Sequence, residues 1–276
     1  MKILDGSSLS KKIRETLRKK LSKISGPKPG LAVILVGSDP ASEIYVSKKE
    51  KLAKEVGFHS EVHRLPKDTS QNDLLKCIET LNGAQNIHGI LVQMPLPKHI
   101  DTQAILHAVL PNKDVDGFHP TNLGRLMMGH PRFVPCTPAG ILRLLKEYQV
   151  EISGKKAVIL GRSLIVGKPL AHLLLNENAT VTLCHSKTKN LKAECQSADI
   201  LISAMGKPAH IDASFIKEGA VVIDVGINRM NQKIIGDIDF NSVSKKASFI
   251  TPVPGGIGPM TIAMLLENTL KAFEIK

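Results

Sequence analysis

Apolar runs and amphipathic segments alternate along the first half of the chain. The segments whose spacing predicts helices and strands are, in order, 7–24 (helix), 31–36 (strand), 42–56 (helix), 60–65 (strand), 72–81 (helix) and 87–93 (extended). Strands that alternate with helices of this length are typical of a parallel sheet covered by helices. A stretch rich in turn residues, 111–138, then separates this half of the chain from the rest.

The second half of the chain repeats the alternation. Its predicted strands are 156–160, 180–183, 200–203, 220–224 and 248–250, and its predicted helices are 169–176 and 259–276. The pattern predicts two α/β domains with a cleft between them, and such clefts are where α/β proteins bind ligands. We place the first domain at 1–120, joined by the helix 259–276, and the second domain at 121–258.

A glycine-rich turn stands between a predicted strand and a predicted helix of the second half. The turn runs from Gly161 to Gly167 and carries Arg162 and Ser163. Such a turn brings backbone N–H groups and the positive end of a helix dipole to one point, where phosphates bind. It predicts a Rossmann-like second domain, although Ser163 replaces a glycine of the dinucleotide fingerprint and similar turns occur in many α/β proteins.

The end of the predicted strand 180–183 distinguishes between two nucleotide cofactors. An NAD site usually has Asp or Glu there for the ribose hydroxyls, whereas this strand ends in Cys184-His185-Ser186-Lys187. Cationic and hydroxyl side chains at this point, together with Arg162, favour a 2′-phosphate. The sequence therefore predicts NADP rather than NAD, with solvated surface cations as the alternative interpretation.

Composition and charge narrow the classes of partner. The 276 residues are 42% hydrophobic, which is enough for a sizeable core, and carry a net charge of +12. Such a charge suits nucleic acid, a membrane surface or small anionic ligands. The cations are spread over the predicted helices and aromatic residues make up only 3%, so a base-stacking surface is not expected. We expect no nucleic-acid or membrane partner, and a cytoplasmic location.

The four cysteines do not suggest a metal site. They are far apart in the sequence, at Cys77, Cys136, Cys184 and Cys195, and no histidine cluster accompanies them at zinc spacing. We expect all four to be reduced and buried as small hydrophobic side chains.

Tyr45 and Lys49 lie four residues apart on the predicted helix 42–56 and therefore share one helix face. An aromatic ring can stack there on a flat ligand, and a lysine beside it can act as an acid or a base. Taken alone, the pair is more typical of a solvated lysine next to a half-buried tyrosine.

Two further segments place polar residues where ligands bind. Gln93 ends the predicted strand 87–93, where parallel strands open towards a ligand crevice, but it suits a cap of the following Pro-rich turn equally well. Asp114 and Asp116 alternate in a stretch predicted to be extended, so one would face a ligand while the other anchors the loop. A plain Asp-Gly turn at 116–117 is the alternative.

Adjacent glycines, Gly255 and Gly256, precede the last predicted helix, in which Pro259 takes a favourable first-turn position. Close approach of the backbone to a ligand explains them, and so does a flexible lead into the helix.

Together these motifs resemble one family, the bifunctional methylenetetrahydrofolate dehydrogenases/methenyltetrahydrofolate cyclohydrolases of one-carbon metabolism. The motifs are Tyr45-Val46-x-x-Lys49, VQMPLP at 92–97, KDVDGF at 113–118, GRSLIVGKP at 161–169, CHSKT at 184–188 and TPVPGGIGPMT at 251–261. The resemblance covers nearly the whole chain. It implies NADP-dependent oxidation of 5,10-methylenetetrahydrofolate to the methenyl form, followed in the same cleft by hydrolysis to 10-formyltetrahydrofolate.

The resemblance also implies a role for each site residue. Lys49 is the expected catalytic group, with Tyr45 stacking on the folate, Gln93 hydrogen-bonded to Lys49 and Asp116 holding the pterin. Further folate contacts are expected at Pro254, Gly255 and Gly256. Cofactor contacts are expected at Gly161, Arg162, Ser163, Gly167, His185, Ser186 and Ile227.

By the same resemblance, the domain 1–120 with 259–276 binds folate, the domain 121–258 binds NADP, and the chain forms a homodimer. The run Ser203-Ala204-Met205-Gly206 departs from the commoner family sequence, which affects cofactor geometry rather than the class of reaction. Two alternatives stay open at this point: a relative that keeps only the dehydrogenase activity, and a basic nucleic-acid-binding protein.

Overall fold

The computed structural model describes residues 1–230 and 233–275, which form two compact units. The three-stranded unit contains Lys12–Val134 and Ile262–Lys276, and the six-stranded unit contains Met1–Lys11 and Pro135–Thr261. Both units are mixed α/β structures built on parallel sheets. The cleft expected between two domains stays a prediction.

The described residues contain eleven strands, ten α-helices and one short 3₁₀ helix at Ala213–Phe215. The strands are β1 (Lys2–Ile3), β2 (Gly30–Val36), β3 (His59–Leu65), β4 (Gly89–Val92), β5 (Lys156–Leu160), β6 (Thr180–Cys184), β7 (Ile200–Ser203), β8 (Val221–Asp224), β9 (Asn228–Met230), β10 (Lys233–Ile235) and β11 (Phe249–Ile250). The helices are α1 (Gly6–Ser22), α2 (Pro40–Val56), α3 (Gln71–Gly83), α4 (Thr102–Ala108), α5 (Pro120–Met127), α6 (Cys136–Glu147), α7 (Gly167–Asn176), α8 (Leu191–Gln196), α9 (Phe240–Val243) and α10 (Ile257–Glu274). None of them has both the length and the apolarity that a membrane crossing requires.

The three-stranded unit is centred on β2, in the strand order β3-β2-β4. All seven residues of β2 are buried, as expected for a parallel strand with both faces covered. Helix α2 begins at Asp39, whose side chain accepts the backbone N–H of Ser42, and ends at Gly57 in the left-handed region with a φ of 103°. These caps hold α2 between the carboxyl end of β2 and the start of β3.

The six-stranded unit contains a parallel sheet in the order β1-β11-β8-β7-β5-β6. Strand β5 pairs with β6 on one side and with β7 on the other. The chain therefore leaves β5 towards one edge and returns past it towards the other, which makes the carboxyl end of β5 a topological switch point. Ligands of open α/β sheets bind at such points, outside the carboxyl ends of the strands.

The unit boundaries differ from the domain division expected from the sequence. Residues 1–11 join the six-stranded unit because β1 pairs in parallel with β11. Residues up to Val134 stay in the three-stranded unit, where the carbonyl of Val134 accepts a hydrogen bond from Asn268 Nδ2 at 3.0 Å. The division into a folate domain at 1–120 with 259–276 and an NADP domain at 121–258 stays a prediction, and Lys276 lies outside the described residues.

Every helix and strand expected from the pattern is present, but the structure adds to them. The interpretation of 111–138 as turns is wrong in part, because α5 and the start of α6 lie there. Helix α5 is only eight residues long and contains Gly124, so its helical hydrophobic pattern is weak. The helix starts at Pro120, and the His119 side chain caps it by accepting the N–H of Thr121.

The cysteines also differ from expectation at one position. Cys136, Cys184 and Cys195 are buried free thiols, whereas Cys77 is a free thiol that is only half-buried. Burial, with a smaller contribution from the neighbouring Cys184, raises the pKa of the Cys195 thiol to about 12. Such a thiol packs as a small hydrophobic side chain at neutral pH.

Candidate active site

Lys49 lies on the buried face of α2. The residue is only 5% exposed, and Val46 and Ala53, one turn away on either side, are completely buried. Its Nζ donates a hydrogen bond to Gln93 Oε1 at 2.9 Å and lies 5.0 Å from the centroid of the Tyr45 ring. The expectation of a solvated lysine, drawn from the Tyr45–Lys49 pair alone, is therefore wrong. The structure instead places a buried amine between an amide oxygen and an aromatic face.

Gln93 is the acceptor that orients this amine. Its backbone N–H donates to the carbonyl of Ile34 at 2.8 Å, which ties the residue to the end of the sheet directly after β4. Its side-chain Nε2 donates to the carbonyl of Met94 at 2.6 Å. Because Nε2 is held by Met94, Oε1 faces Lys49. Gln93 thus both caps the Pro-rich turn and bonds Lys49, and its role towards a ligand stays a prediction.

Asp114 anchors the loop that carries Asp116. The segment is a turn with a single bridge from Asp114 to Ile90, so the expected extended stretch is wrong and the Asp-Gly turn is correct. Asp114 is 4% exposed. Its carboxylate accepts four hydrogen bonds at 2.7–3.1 Å, from the backbone N–H groups of Gly117, Phe118 and His119 and from Nδ2 of Asn122.

The environment of Asp114 explains why it is structural. Burial raises the pKa of Asp114, and the hydrogen bonds from Asn122 and from the backbone of His119 oppose that rise. Asp116 lies half-buried within the same turn. The expectation that one carboxylate anchors the loop is thus confirmed for Asp114.

In the six-stranded unit, the glycine turn begins where β5 ends, at the switch point. Gly161 has a φ of 130°, and a Cβ atom added to it would lie 2.5 Å from the carbonyl oxygen of Ala204, the residue after β7. A Cβ added to Gly167 would overlap the carbonyl oxygen of Gly161. Both positions therefore require glycine, because the protein's own backbone fills the space that a side chain would need.

The Ser163 side chain forms hydrogen bonds within this turn. Its Oγ accepts the backbone N–H groups of Val166 at 3.2 Å and Gly167 at 3.4 Å, at the start of α7. The hydroxyl thus satisfies amides that a helix leaves unpaired at its first turn, and it carries its own hydrogen to donate. Replacement of a glycine by serine is in this way compatible with a phosphate-binding turn.

The end of β6 lies beside the end of β5 at the same edge of the sheet. His185 is engaged within its turn, where its backbone N–H donates to Thr188 Oγ1 at 2.8 Å and its Nδ1 accepts the N–H of Lys187 at 3.2 Å. Ser186 and Arg162 are exposed there. The structure thus brings together the two residues expected to hold a 2′-phosphate at neighbouring strand ends.

Ile227 follows β8 and is 58% exposed, an unusual exposure for an apolar side chain. Strand β8 ends at the same carboxyl edge of the sheet as β5 and β7. The position of Ile227 agrees with a cofactor contact at the carboxyl ends of these strands, and the role of Ile227 stays a prediction.

The segment around Gly255 and Gly256 packs against the start of α1. The N–H of Ser7 donates to the carbonyl of Gly255 at 2.8 Å, and a Cβ atom on Gly6 would overlap the carbonyl oxygen of Gly256. A Cβ on Gly256 would itself lie 2.7 Å from the carbonyl oxygen of Pro252. Close packing within the protein therefore accounts for Gly256, whereas Pro254 is exposed and Gly255 is half-buried.

Two buried carboxylates of the six-stranded unit escaped the sequence analysis. Asp224 is 4% exposed and Asp237 is completely buried. Asp224 accepts backbone N–H groups from Gly226, Asp237 and Ile238 at 2.9–3.0 Å. Burial raises the pKa of Asp224 to about 6, against these hydrogen bonds, and nearby Asp237 adds to the rise. An available signal for Asp224 was its position directly after the apolar run Val-Val-Ile, at the carboxyl end of a strand.

Comparison with known proteins matches both parts of the chain. Residues 4–116 match the catalytic domain of tetrahydrofolate dehydrogenase/cyclohydrolase, and residues 135–276 match the NAD(P)-binding domain of the same family. The bifunctional protein FolD of Campylobacter concisus is 55% identical over 279 residues, which cover 100% of this chain and 99% of the relative.

Solved structures agree with this match. The bifunctional enzyme FolD from Campylobacter jejuni, a methylenetetrahydrofolate dehydrogenase/cyclohydrolase, is 52% identical with a TM-score of 0.97, covering 100% of this chain and 99% of its own. The Trypanosoma brucei enzyme, solved with NADP cofactor and an inhibitor, is 39% identical with a TM-score of 0.96, covering 99% and 97%. The chain therefore belongs to the tetrahydrofolate dehydrogenase/cyclohydrolase family.

Proposed function

We propose that this chain catalyses two successive reactions on one folate. The first is the NADP-dependent oxidation of 5,10-methylenetetrahydrofolate to 5,10-methenyltetrahydrofolate, and the second is the hydrolysis of that product to 10-formyltetrahydrofolate. Family membership supplies the class of reaction. The assignment of the catalytic residues rests on one observation. The buried Lys49 amine is held 2.9 Å from Gln93 Oε1, beside the Tyr45 ring.

Hydrolysis needs a group that moves protons. Water adds to the electron-poor carbon between N5 and N10, and the proton that it loses must be taken up. The carbon–N5 bond then breaks as N5 receives a proton and the hydroxyl on that carbon gives its proton to water. The formyl group stays on N10, and one proton is released overall. The Lys49 amine takes the proton that water loses and returns it to N5. Gln93 Oε1 holds the Lys49 amine in one orientation. Tyr45 offers an aromatic face, on which the folate stacks.

Oxidation needs a bound acceptor, and NADP when bound accepts the hydride that the methylene carbon releases. The residues present fit this cofactor, because Gly161 and Gly167 bring the main chain together at the amino end of a ten-residue helix. Ser163 lines the phosphate turn, and Arg162 and Ser186 hold the 2′-phosphate at the ends of β5 and β6. His185 and Ile227 add contacts along the same edge of the sheet.

The remaining folate contacts follow the family pattern. Asp116 holds the pterin, on a turn that Asp114 keeps rigid through four hydrogen bonds. Pro254, Gly255 and Gly256 contribute main-chain surface. In this proposal the three-stranded unit carries the acid–base residues and Asp116, and the six-stranded unit binds NADP and supplies the folate contacts at 254–256.

The chain acts as a homodimer in the cytoplasm in this proposal. Strand β6 is an edge strand of the six-stranded sheet, and nearby Leu175 and Leu183 are 57% and 36% exposed. An edge strand flanked by exposed apolar side chains is suited to pairing with a second copy. The four free thiols suit a reducing compartment.

An absorbance assay with the purified enzyme tests the function. 5,10-Methylenetetrahydrofolate is supplied with NADP or NAD, and reduced cofactor and methenyl product are followed at their own wavelengths. We expect reduction with NADP, followed by decay of the methenyl absorbance faster than in buffer. Reduction without faster decay would indicate a dehydrogenase alone, and no reduction with either cofactor would contradict the proposal.

The double variant Arg162→Gln with Ser186→Ala tests the choice of cofactor. We expect it to lose the preference for NADP over NAD, because it removes the cation and the hydroxyl assigned to the 2′-phosphate. Lys155→Gln is the matched control, since Lys155 precedes β5 and therefore lies at the amino ends of the strands, away from the assigned cofactor site. An unchanged preference in the double variant would show that other residues select the cofactor.

A further inference from the structure

Asp237 has the most heavily hydrogen-bonded side chain in the described part of the six-stranded unit. The residue is completely buried, directly after the β9–β10 hairpin. Its carboxylate accepts five hydrogen bonds at 2.7–3.2 Å, from Ser203 Oγ, from the backbone N–H groups of Met205, Gly206 and Lys207, and from Asn228 Nδ2. Five donors to one buried side chain hold it rigidly in a single orientation.

Three of these donors belong to one turn. Met205, Gly206 and Lys207 follow β7 in succession, and consecutive backbone N–H groups that converge in this way form a site for an anion. Here the protein's own carboxylate fills that site. The phosphates of NADP are assigned instead to the Gly161–Gly167 turn at the switch point.

The same turn touches the phosphate-binding turn. Ala204 begins it, and its N–H donates to the carbonyl of Leu160 at 2.8 Å. The carbonyl oxygen of Ala204 occupies the space beside Gly161 in which a side chain would stand. A shift of the turn after β7 would therefore move the backbone against which Gly161 is packed.

Asp237 also ties down the segment after β8. Asn228, which donates to its Oδ1 at 3.0 Å, is the neighbour of exposed Ile227. On the other side of Ile227, Gly226 lies so close to the Asp237 carboxylate that no Cβ atom would fit. One carboxylate thus fixes the backbone on both sides of a residue assigned to the cofactor.

We propose that Asp237 is a positioning residue for NADP, which holds the turns after β7 and β8 in place at the carboxyl edge of the sheet. The proposal rests on the proposed function and adds a residue that lies outside the six motifs quoted in the sequence analysis. Asp237 acts through Ala204, Gly161 and Ile227 rather than by touching the cofactor.

The variant Asp237→Asn tests this role, because it keeps the size of the side chain but turns one acceptor oxygen into a donor. The two activities are measured separately, with NADP-dependent oxidation in one assay and hydrolysis of supplied methenyltetrahydrofolate, without NADP, in the other. We expect the KM for NADP to rise at least about tenfold, since misplacement by about 1 Å costs up to about a hundredfold in rate. Hydrolysis should stay within about twofold of the parent, because Lys49 and Gln93, which are assigned to its proton transfer, lie in the three-stranded unit.

Asp239→Asn is the matched control. Asp239 stands two residues further on and caps α9 through the N–H of Ser242, so its variant should leave the KM for NADP unchanged. Ser203→Ala is a milder second variant that removes a single donor from Asp237 and should raise the KM in the same direction by less.

The outcomes distinguish failure of the Asp237 proposal from failure of the proposed function. An unchanged KM in both Asp237→Asn and Ser203→Ala, with a parent that binds NADP, would overturn the inference alone. Equal loss of oxidation and hydrolysis in both variants would also overturn it, because Asp237 would then support folding in general. A parent that fails to bind NADPH in a fluorescence titration would overturn the proposed function and the inference together.

Discussion

Replacing Lys49 by methionine separates the proton chemistry of the site from its packing. Methionine has nearly the same length and fills the same space on the buried face of α2, but its thioether cannot donate to Gln93 or carry a proton. The perturbation therefore removes one function of the side chain and leaves most of its contacts.

The expected effect on stability is small. The variant loses the hydrogen bond between Lys49 Nζ and Gln93 Oε1, which contributes about 0.5–1.5 kcal/mol. It places an apolar thioether at a position that is 5% exposed, and apolar burial contributes about 0.8 kcal/mol per CH₂ group. Because these contributions oppose each other, we expect Lys49→Met to fold, with a Tm close to that of the parent.

The expected effect on hydrolysis is large. Positioned acid–base groups contribute about 10²–10⁴-fold to the rate. A loss of this size raises the activation barrier by about 3–5 kcal/mol. Cyclohydrolase activity should therefore fall by about 10²–10⁴-fold.

The assay follows the decay of methenyltetrahydrofolate absorbance, with the rate in buffer subtracted, and thermal unfolding is measured on the same samples. Lys48→Met is the matched control, since Lys48 is exposed and adjacent on the same helix. It should retain the parental rate. If Lys49→Met is folded and hydrolyses at the parental rate, Lys49 does not move the proton and the assignment is refuted.

Two further predictions concern the six-stranded unit. Gly161→Ala places a Cβ atom 2.5 Å from the carbonyl oxygen of Ala204 at a φ of 130°, a strain of about 1–3 kcal/mol. The Tm should therefore fall and the KM for NADP should rise. Unchanged NADP kinetics would contradict the cofactor assignment. The pKa of Asp224 is raised from 3.8 to about 6, so between these values the folded chain holds a proton that the unfolded chain has released, and stability falls as pH rises through this window by about 3 kcal/mol. Urea unfolding between pH 4 and pH 7 should show this loss in the parent relative to Asp224→Asn, and parallel curves for the two proteins would refute it.

The sequence by itself determined the regular elements and the nucleotide turn. Strands 156–160 and 200–203 have the expected bounds because an unbroken apolar run between polar ends encodes a buried parallel strand locally. The glycine turn was likewise evident, since a strand, a glycine and a helix follow one another along the chain. The six motifs, which include those around Lys49 and Gln93, together suggested the family.

The tertiary structure decided which polar side chains are buried and what they hold. Helical spacing places Lys49 with Val46 and Ala53, but only the packing of other elements over that face buries it. Asp114 and Asp116 look equivalent in the sequence, and the turn makes Asp114 the anchor. Asp237 receives Ser203 Oγ and the N–H groups of Met205 to Lys207 from 30 to 34 residues away, so no local pattern announces it. Local periodicity encodes which elements form, whereas burial and distant hydrogen bonds arise only when those elements pack together.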